Sequence, residues 1–253
     1  MIIYSFQPQS LIEKVQKQGC VLVELPETNI YKQLQAGGRK QAYDAYYWMA
    51  RKLGQKTGLW LRSFYGDDLE IPKDADGDYI DDHGDKLPLL PFWGWYLTDG
   101  KNNPPDSSYA FDNGGNQRNV IDWNRNEEKT KLVTLDIPDE YVLLSDINAW
   151  YCVLEGRPCF EYEGEEAEAH LLNAYMTRME QLRKMPVGKK KRELAEAIYQ
   201  DTVASWDNIF RLEGRRLREF MGIPEKHDIQ AAFPFLDERW IVRVDDVEKG
   251  DDK

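Results

Sequence analysis

The sequence predicts an α+β fold: a small mixed or antiparallel sheet with N-terminal helices and a helical C-terminal subregion. Three observations point there. Short stretches of alternating or apolar residues are scattered through the first 150 positions, the last third carries helical periodicity, and no internal repeat is visible. The chain has 253 residues, enough for one large domain or two small ones. The pattern favours a single α+β domain over 1–245, followed by an acidic, frayed tail at 246–253.

The elements follow in order. Ile2–Phe6 alternates weakly and reads as a first strand. Ser10-Leu11-Ile12-Glu13 has the form of a capping box, which predicts a helix starting there with Leu11, Ile12 and Val15 as its apolar face. Gly19 can supply its left-handed stop. Cys20–Leu25 reads as a strand ended by Pro26, and 39–53 as a helix closed by Gly54. Residues 59–65 and 89–97 are aromatic-rich and strand-like. Lys131–Ile137 and Tyr141–Leu144 read as further strands, and Ser145 or Asp146 caps a helix running through Leu154 to Gly156. Helices are expected over 164–185 and 189–212 within a helical subregion 164–222, and a final strand over Trp240–Val244.

Charge is distributed unevenly. The formal net charge is -12, from 45 acidic and 33 basic side chains. Segment 66–86 holds nine acids and two bases, and 245–253 holds five acids and two bases, so the remaining body is close to neutral. This acidity argues against duplex nucleic acid and against an anionic membrane surface as partners. No run of about 18 apolar residues is present, so no membrane span is expected. The start lacks the basic and long apolar regions of a signal peptide. Three cysteines, Cys20, Cys152 and Cys159, are an odd number with no metal-like spacing, which predicts a reducing, cytoplasmic setting and no zinc centre.

Several motifs can carry chemistry. Asp74-Ala75-Asp76-Gly77-Asp78 places oxygen ligands as a calcium loop does, with Asp85 at the twelfth position. Tyr79 stands where the sharp turn wants glycine, and the flanks are not helical, so a solvated hairpin with an Asp-Gly turn is favoured over calcium. Phe92-Trp93-Gly94-Trp95-Tyr96 is the densest aromatic cluster. In a strand, Trp93 and Trp95 share one face and Phe92, Gly94 and Tyr96 the other. The favoured reading is a buried strand, and the other is a stacking surface for a base, nicotinamide or sugar ring. Gly94 would let a ligand or another backbone come close. The polar stretch 98–129 reads as a lid, a binding loop or disorder. Basic runs at Gly188–Arg192 and Arg215–Arg218 read as solvated helix ends. Phosphate-loop, Rossmann, nucleophile-elbow and zincin motifs are missing from the sequence.

Two functional expectations follow. The first is an enzyme acting on a nucleotide ligand, with NAD-dependent ADP-ribosyl transfer as the candidate reaction. Gln7, Trp93, Trp95 and Tyr96 bind the ligand, Asp146 and Gln230 act in catalysis, and NAD is the candidate cofactor. The second is a non-catalytic inhibitor that engages a basic protein through Asp74, Asp76, Asp78, Asp81 and Asp82. A single-strand nucleic-acid reader is the least favoured.

Several stretches together suggest one family. They are Tyr4-Ser5-Phe6-Gln7, Tyr47-Trp48-Met49, Pro91–Tyr96, Asp139–Asp146 with Trp150 and Val153-Leu154, Ser205–Phe210, and Ile229–Phe233. In these the chain resembles DUF 3841, an uncharacterised bacterial and phage domain. That family usually has an aromatic such as Trp where this chain has Tyr4, and a His where it has Tyr151. The resemblance implies no activity. The layout also loosely resembles ADP-ribosyltransferase-like folds, which is likeness of fold and implies no chemistry.

Overall fold

A computed structural model describes residues 1–23, 40–61, 73–80, 84–98, 100–106, 109, 130–160, 165–212 and 228–247. The elements in order are β1 (Ile2–Pro8), α1 (Gln9–Gln18), β2 (Cys20–Val21), α2 (Lys40–Thr57), β3 (Phe92–Leu97), β4 (Thr130–Asp136), β5 (Leu143–Asp146), α3 (Ile147–Leu154), α4 (Glu165–Lys184), α5 (Lys189–Ser205), β6 (Ile229–Phe233), β7 (Leu236–Asp237) and β8 (Ile241–Asp246). Short 3-10 turns cover Asp139–Tyr141, Trp206–Phe210 and Glu238–Trp240. Six strands form one antiparallel sheet in the order β5-β6-β3-β1-β4-β8, and β2 pairs with β7 separately. The α+β class therefore holds, with the sheet antiparallel. No helix among the described residues is long and apolar enough to cross a membrane.

The sheet is covered on both faces because its strands alternate between two apolar sets. Tyr4, Trp95, Leu132 and Ala232 pack with Ala45, Tyr46 and Met49 of α2 and with Trp150 and Val153 of α3. Ile3, Phe92, Val133, Ala231 and Phe233 pack with Leu11, Ile12 and Val15 of α1. Each Leu, Ile, Val, Met or Phe among them, fully buried, contributes roughly 1.5–3 kcal/mol.

Several expected boundaries moved, each for a local reason. Helix α1 starts at Gln9 with Pro8 before it, so Ser10 sits inside the first turn rather than at a cap. Gln9 Nε2 donates to Glu13 Oε1 at 2.8 Å across that turn, and Gly19, at φ 79°, ends the helix as expected. Helix α2 runs through Gly54 to Thr57. A Cβ at Gly54 would lie 2.8 Å from the Trp60 ring, so this glycine admits an indole, and the left-handed residue is Gly58. The strand expected at Cys20–Leu25 is two residues long, and 24–25 lie outside the described residues. Of 59–65, Trp60 makes one bridge to Pro88, and 62–65 lie outside the described residues. Helix α5 ends at Ser205, and the 3-10 turn Trp206–Phe210 takes over. Trp240 belongs to a 3-10 turn, and β8 continues through Asp246, whose carboxylate pairs with Lys131. Most of 98–129, the run Arg215–Arg218 and residues 248–253 are outside the described residues.

Strand β6 is an element that the sequence pattern does not announce. It is buried along its whole length and lies between β5 and β3. Ile229-Gln230-Ala231-Ala232-Phe233 has no polar alternation because both of its faces are covered.

Candidate functional site

The antiparallel register lines up five side chains across the sheet. Thr134 of β4 pairs with Tyr4 of β1, Tyr4 with Trp95 of β3, Trp95 with Gln230 of β6, and Gln230 with Ser145 of β5. Directly paired residues project to the same face. Trp95, Gln230 and Ser145 therefore share the face covered by α2 and α3. Trp93, two residues before Trp95, is on it too.

Gln230 is 2% exposed. Its Nε2 donates to Ser145 Oγ at 3.0 Å, while its Oε1 is buried and, among the described residues, accepts no hydrogen bond. A buried amide oxygen left in that state costs roughly 1–3 kcal/mol. Asp228 stands two residues earlier, so it lies on the same side of the extended chain. Its backbone oxygen accepts from the Ile147 N–H at 3.3 Å, which prolongs the β5–β6 ladder by one step. Its carboxylate oxygens lie 3.3 and 3.4 Å from the Tyr109 hydroxyl. The Tyr109 ring meets Trp95 edge-on, with centroids 5.2 Å apart. From α3, Tyr151 faces the same carboxylate. Burial, then the Asp228 charge, push its phenol above the ordinary 10.0. Tyr46 of α2 is raised further, by burial first and then by Tyr151. Two acceptors, Asp228 and Gln230 Oε1, thus sit among Trp95, Tyr109 and Tyr151.

The other expected site residues are placed differently. Gln7 lies on the opposite face, where its Nε2 donates to Ser5 Oγ at 2.7 Å and Ser5 Oγ donates to the Trp93 carbonyl at 2.5 Å. Tyr96 packs with the α1-side core. Trp93 is held by Tyr46 and Trp150, at centroid distances of 5.9 and 5.3 Å. Asp146 is the N-cap of α3, its Oδ1 accepting from Asn148 N at 2.9 Å and Ala149 N at 3.1 Å. Gly94 is needed for a backbone rather than a ligand, because a Cβ there would lie 2.5 Å from Ile3 Cγ2 and 2.9 Å from the Tyr4 carbonyl. The structure thus brings Trp93, Trp95 and Gln230 to one face and keeps Gln7 and Tyr96 off it.

Sequence reasoning passed over Asp228, Tyr109 and Ser145 as ligand contacts. The available signal was the period of two in Asp228-Ile229-Gln230, visible once β6 is recognised as a strand. Tyr4 and Tyr151, the two positions noted as departures from the family pattern, both face this cluster or the core beside it.

The acidic hairpin is built otherwise. Asp74 N donates to the Asp78 carbonyl at 2.9 Å, Lys73 bridges Tyr79, and Gly77, at φ 82°, makes the expected Asp-Gly turn. The carboxylates of Asp74, Asp76 and Asp78 converge closely enough to hold a cation. The Lys86 ammonium is already there, at 3.1, 3.4 and 2.6 Å from the three. Asp78 is 0% exposed. Asp78 first, then Asp74, raise the Lys86 ammonium above its ordinary range. Burial works against ionisation of Asp74, but the Asp78 N–H, Lys86 and the Asp76 N–H outweigh it and hold its carboxyl low. Asp85, the twelfth position of the calcium-like spacing, instead pairs with Arg51 at 3.0 Å. Asp81 and Asp82 lie outside the described residues.

The family model of DUF3841, described as a domain of unknown function, matches residues 85–242, well over half of the chain. The matched stretch contains Trp95, Tyr109, Ser145, Tyr151, Asp228 and Gln230, and excludes Asp74, Asp76 and Asp78. No curated protein and no solved structure matches the chain.

Proposed function

This chain belongs to the DUF3841 family, and we propose that it is an enzyme acting on a nucleotide ligand, whose flat ring it holds at the Trp95–Tyr109–Asp228–Gln230 cluster. The observation that carries this reading is the buried, unpartnered Oε1 of Gln230, in register between Trp95 and Ser145. An acceptor in that condition fits a donor that arrives with a ligand. The Asp228 carboxylate is a second acceptor nearby, so the fitting ring presents N–H groups along one edge. Indole and phenol rings supply its stacking surface. A ring entering here replaces the Tyr109 contact on Trp95.

NAD is the first nucleotide to test. Its carboxamide N–H would meet Gln230 Oε1. Cleavage of the bond between nicotinamide and ribose develops positive charge on the sugar, which Asp228 would stabilise. Asp146 is committed to capping α3, so Asp228 takes the electrostatic role in this reading. The acidic inhibitor reading is disfavoured by Lys86, whose ammonium already contacts three of its five aspartates from within and offsets one of their charges.

The test is calorimetry with NAD, ATP and GTP, together with transfer of labelled ADP-ribose from NAD into lysate protein. Binding heat with one of the nucleotides, lost in Gln230→Met, is expected. For NAD, Asp228→Asn should raise KM as well as lower kcat, because the carboxylate is both an acceptor for the bound ring and the counter-charge in cleavage. Silence with all three nucleotides overturns the reading, and NAD binding without transfer overturns ADP-ribosyl transfer.

A further inference from the structure

We propose that two copies of this chain associate through β8, pairing edge to edge about a two-fold axis at Val244. Strand β8 ends the six-stranded sheet, with β4 on one side and, among the described residues, no strand on the other. Val242 is 63% and Val244 37% exposed. An edge of this kind presents unpaired N–H and C=O groups to any strand that can match it.

The side-chain pattern selects the occupant. Arg243 Nε lies 2.7 Å from Asp245 Oδ1, so both side chains lie on one face of the strand. Antiparallel self-pairing about Val244 sets Arg243 against Asp245 of the partner subunit, twice, and Val244 against Val244 of the partner subunit. A shift of the axis to Arg243 would oppose two arginines, and a shift to Asp245 two carboxylates. Like charges directly opposite are destabilising, and opposite charges contribute roughly 0.2–1 kcal/mol per pair. Of these three registers, the one centred on Val244 is the self-complementary one. At its far end the Lys131–Asp246 pair ties β8 to β4. The arrangement joins two six-stranded sheets into one and leaves the cluster around Gln230, on the other side of β1 and β3, untouched.

Sedimentation equilibrium of the full chain across micromolar concentrations tests it. A concentration-dependent dimer is expected. Arg243→Asp alone and Asp245→Arg alone should each weaken it roughly tenfold or more, since two attractive pairs become repulsive. The double variant Arg243→Asp/Asp245→Arg should restore it, and an equimolar mixture of the two single variants should form the mixed dimer. Circular dichroism on each variant verifies the fold, since neither the exposed Arg243 nor the half-buried Asp245 belongs to the core. A chain that stays monomeric throughout, or a dimer indifferent to the single reversals, overturns the proposal.

Discussion

The acidic hairpin and the sheet-face cluster reverse each other. The hairpin has the composition of a binding site, with three convergent carboxylates, yet an internal lysine already occupies it. The cluster has ordinary composition, yet it retains a buried oxygen without a donor. Density of charge marks where polarity is placed, whereas unmet hydrogen-bonding capacity marks where something is still needed. That contrast can be broken from either side.

The largest effect is expected at Gly94. Replacing it by valine forces β3 away from Ile3 and Tyr4, and should destabilise the fold by about 3 kcal/mol or more. Denaturant melts would register it. A stable Gly94→Val chain would mean that β1 and β3 do not approach as described, and the Tyr4–Trp95–Gln230 row would go with them.

Lys86→Met is next. It leaves the buried Asp78 without its ammonium, so the hairpin amides should lose hydrogen-exchange protection and the Tm should fall. Millimolar calcium should recover part of the loss in the variant and do nothing to the parent. A calcium response in the parent would show that Lys86 is displaced by the metal. The pH dependence sharpens this. Asp74 titrates below its ordinary 3.8, so its contribution is present above that value and disappears as pH falls through the lowered one. Lys86 titrates above its ordinary 10.5, so its contribution is complete below that value and is lost as pH rises through the raised one. The hairpin should hold through the neutral range and fail at both extremes in exchange measurements.

Asp146→Ala should cost about 1 kcal/mol, the ordinary value of a helix cap, and Asp146→Asn only a few tenths. Any nucleotide-dependent activity should survive in Asp146→Asn. Its loss at unchanged stability would return this residue to the chemistry.

The smallest stability change is expected for Gln230→Met. It removes an unpaired buried oxygen and leaves Ser145 short of one donor, so the two effects offset to within about 1 kcal/mol. Ligand binding should vanish while the thermal melt barely moves. A large destabilisation would mean that the Gln230 amide is part of the core's own bonding.

Leu11, Ile12 and Val15 with Gly19, the strand Thr130–Asp136, and the Asp146 cap of α3 were readable because their signals are local: periodicity, a left-handed glycine, a short acceptor before a helix. Strand β6 was not, because a strand buried on both faces loses its alternation. The cluster vanished with it. Asp228 and Tyr109 are 119 positions apart and meet only when β6 is set beside β3. In the sequence Lys86 is one of two bases in an acidic segment, and only the hairpin's closure sets its ammonium among three carboxylates.

By itself, then, the sequence determined the α+β class, most helices, several strands and the confinement of acidity to one loop and the tail. All of these are set by neighbours a few residues apart. Tertiary structure alone decided which polar groups are satisfied. Strand pairing joins distant residues in a fixed register, so the same glutamine or aspartate becomes a cap, an ion-pair partner or an unmet acceptor according to what the sheet sets opposite it.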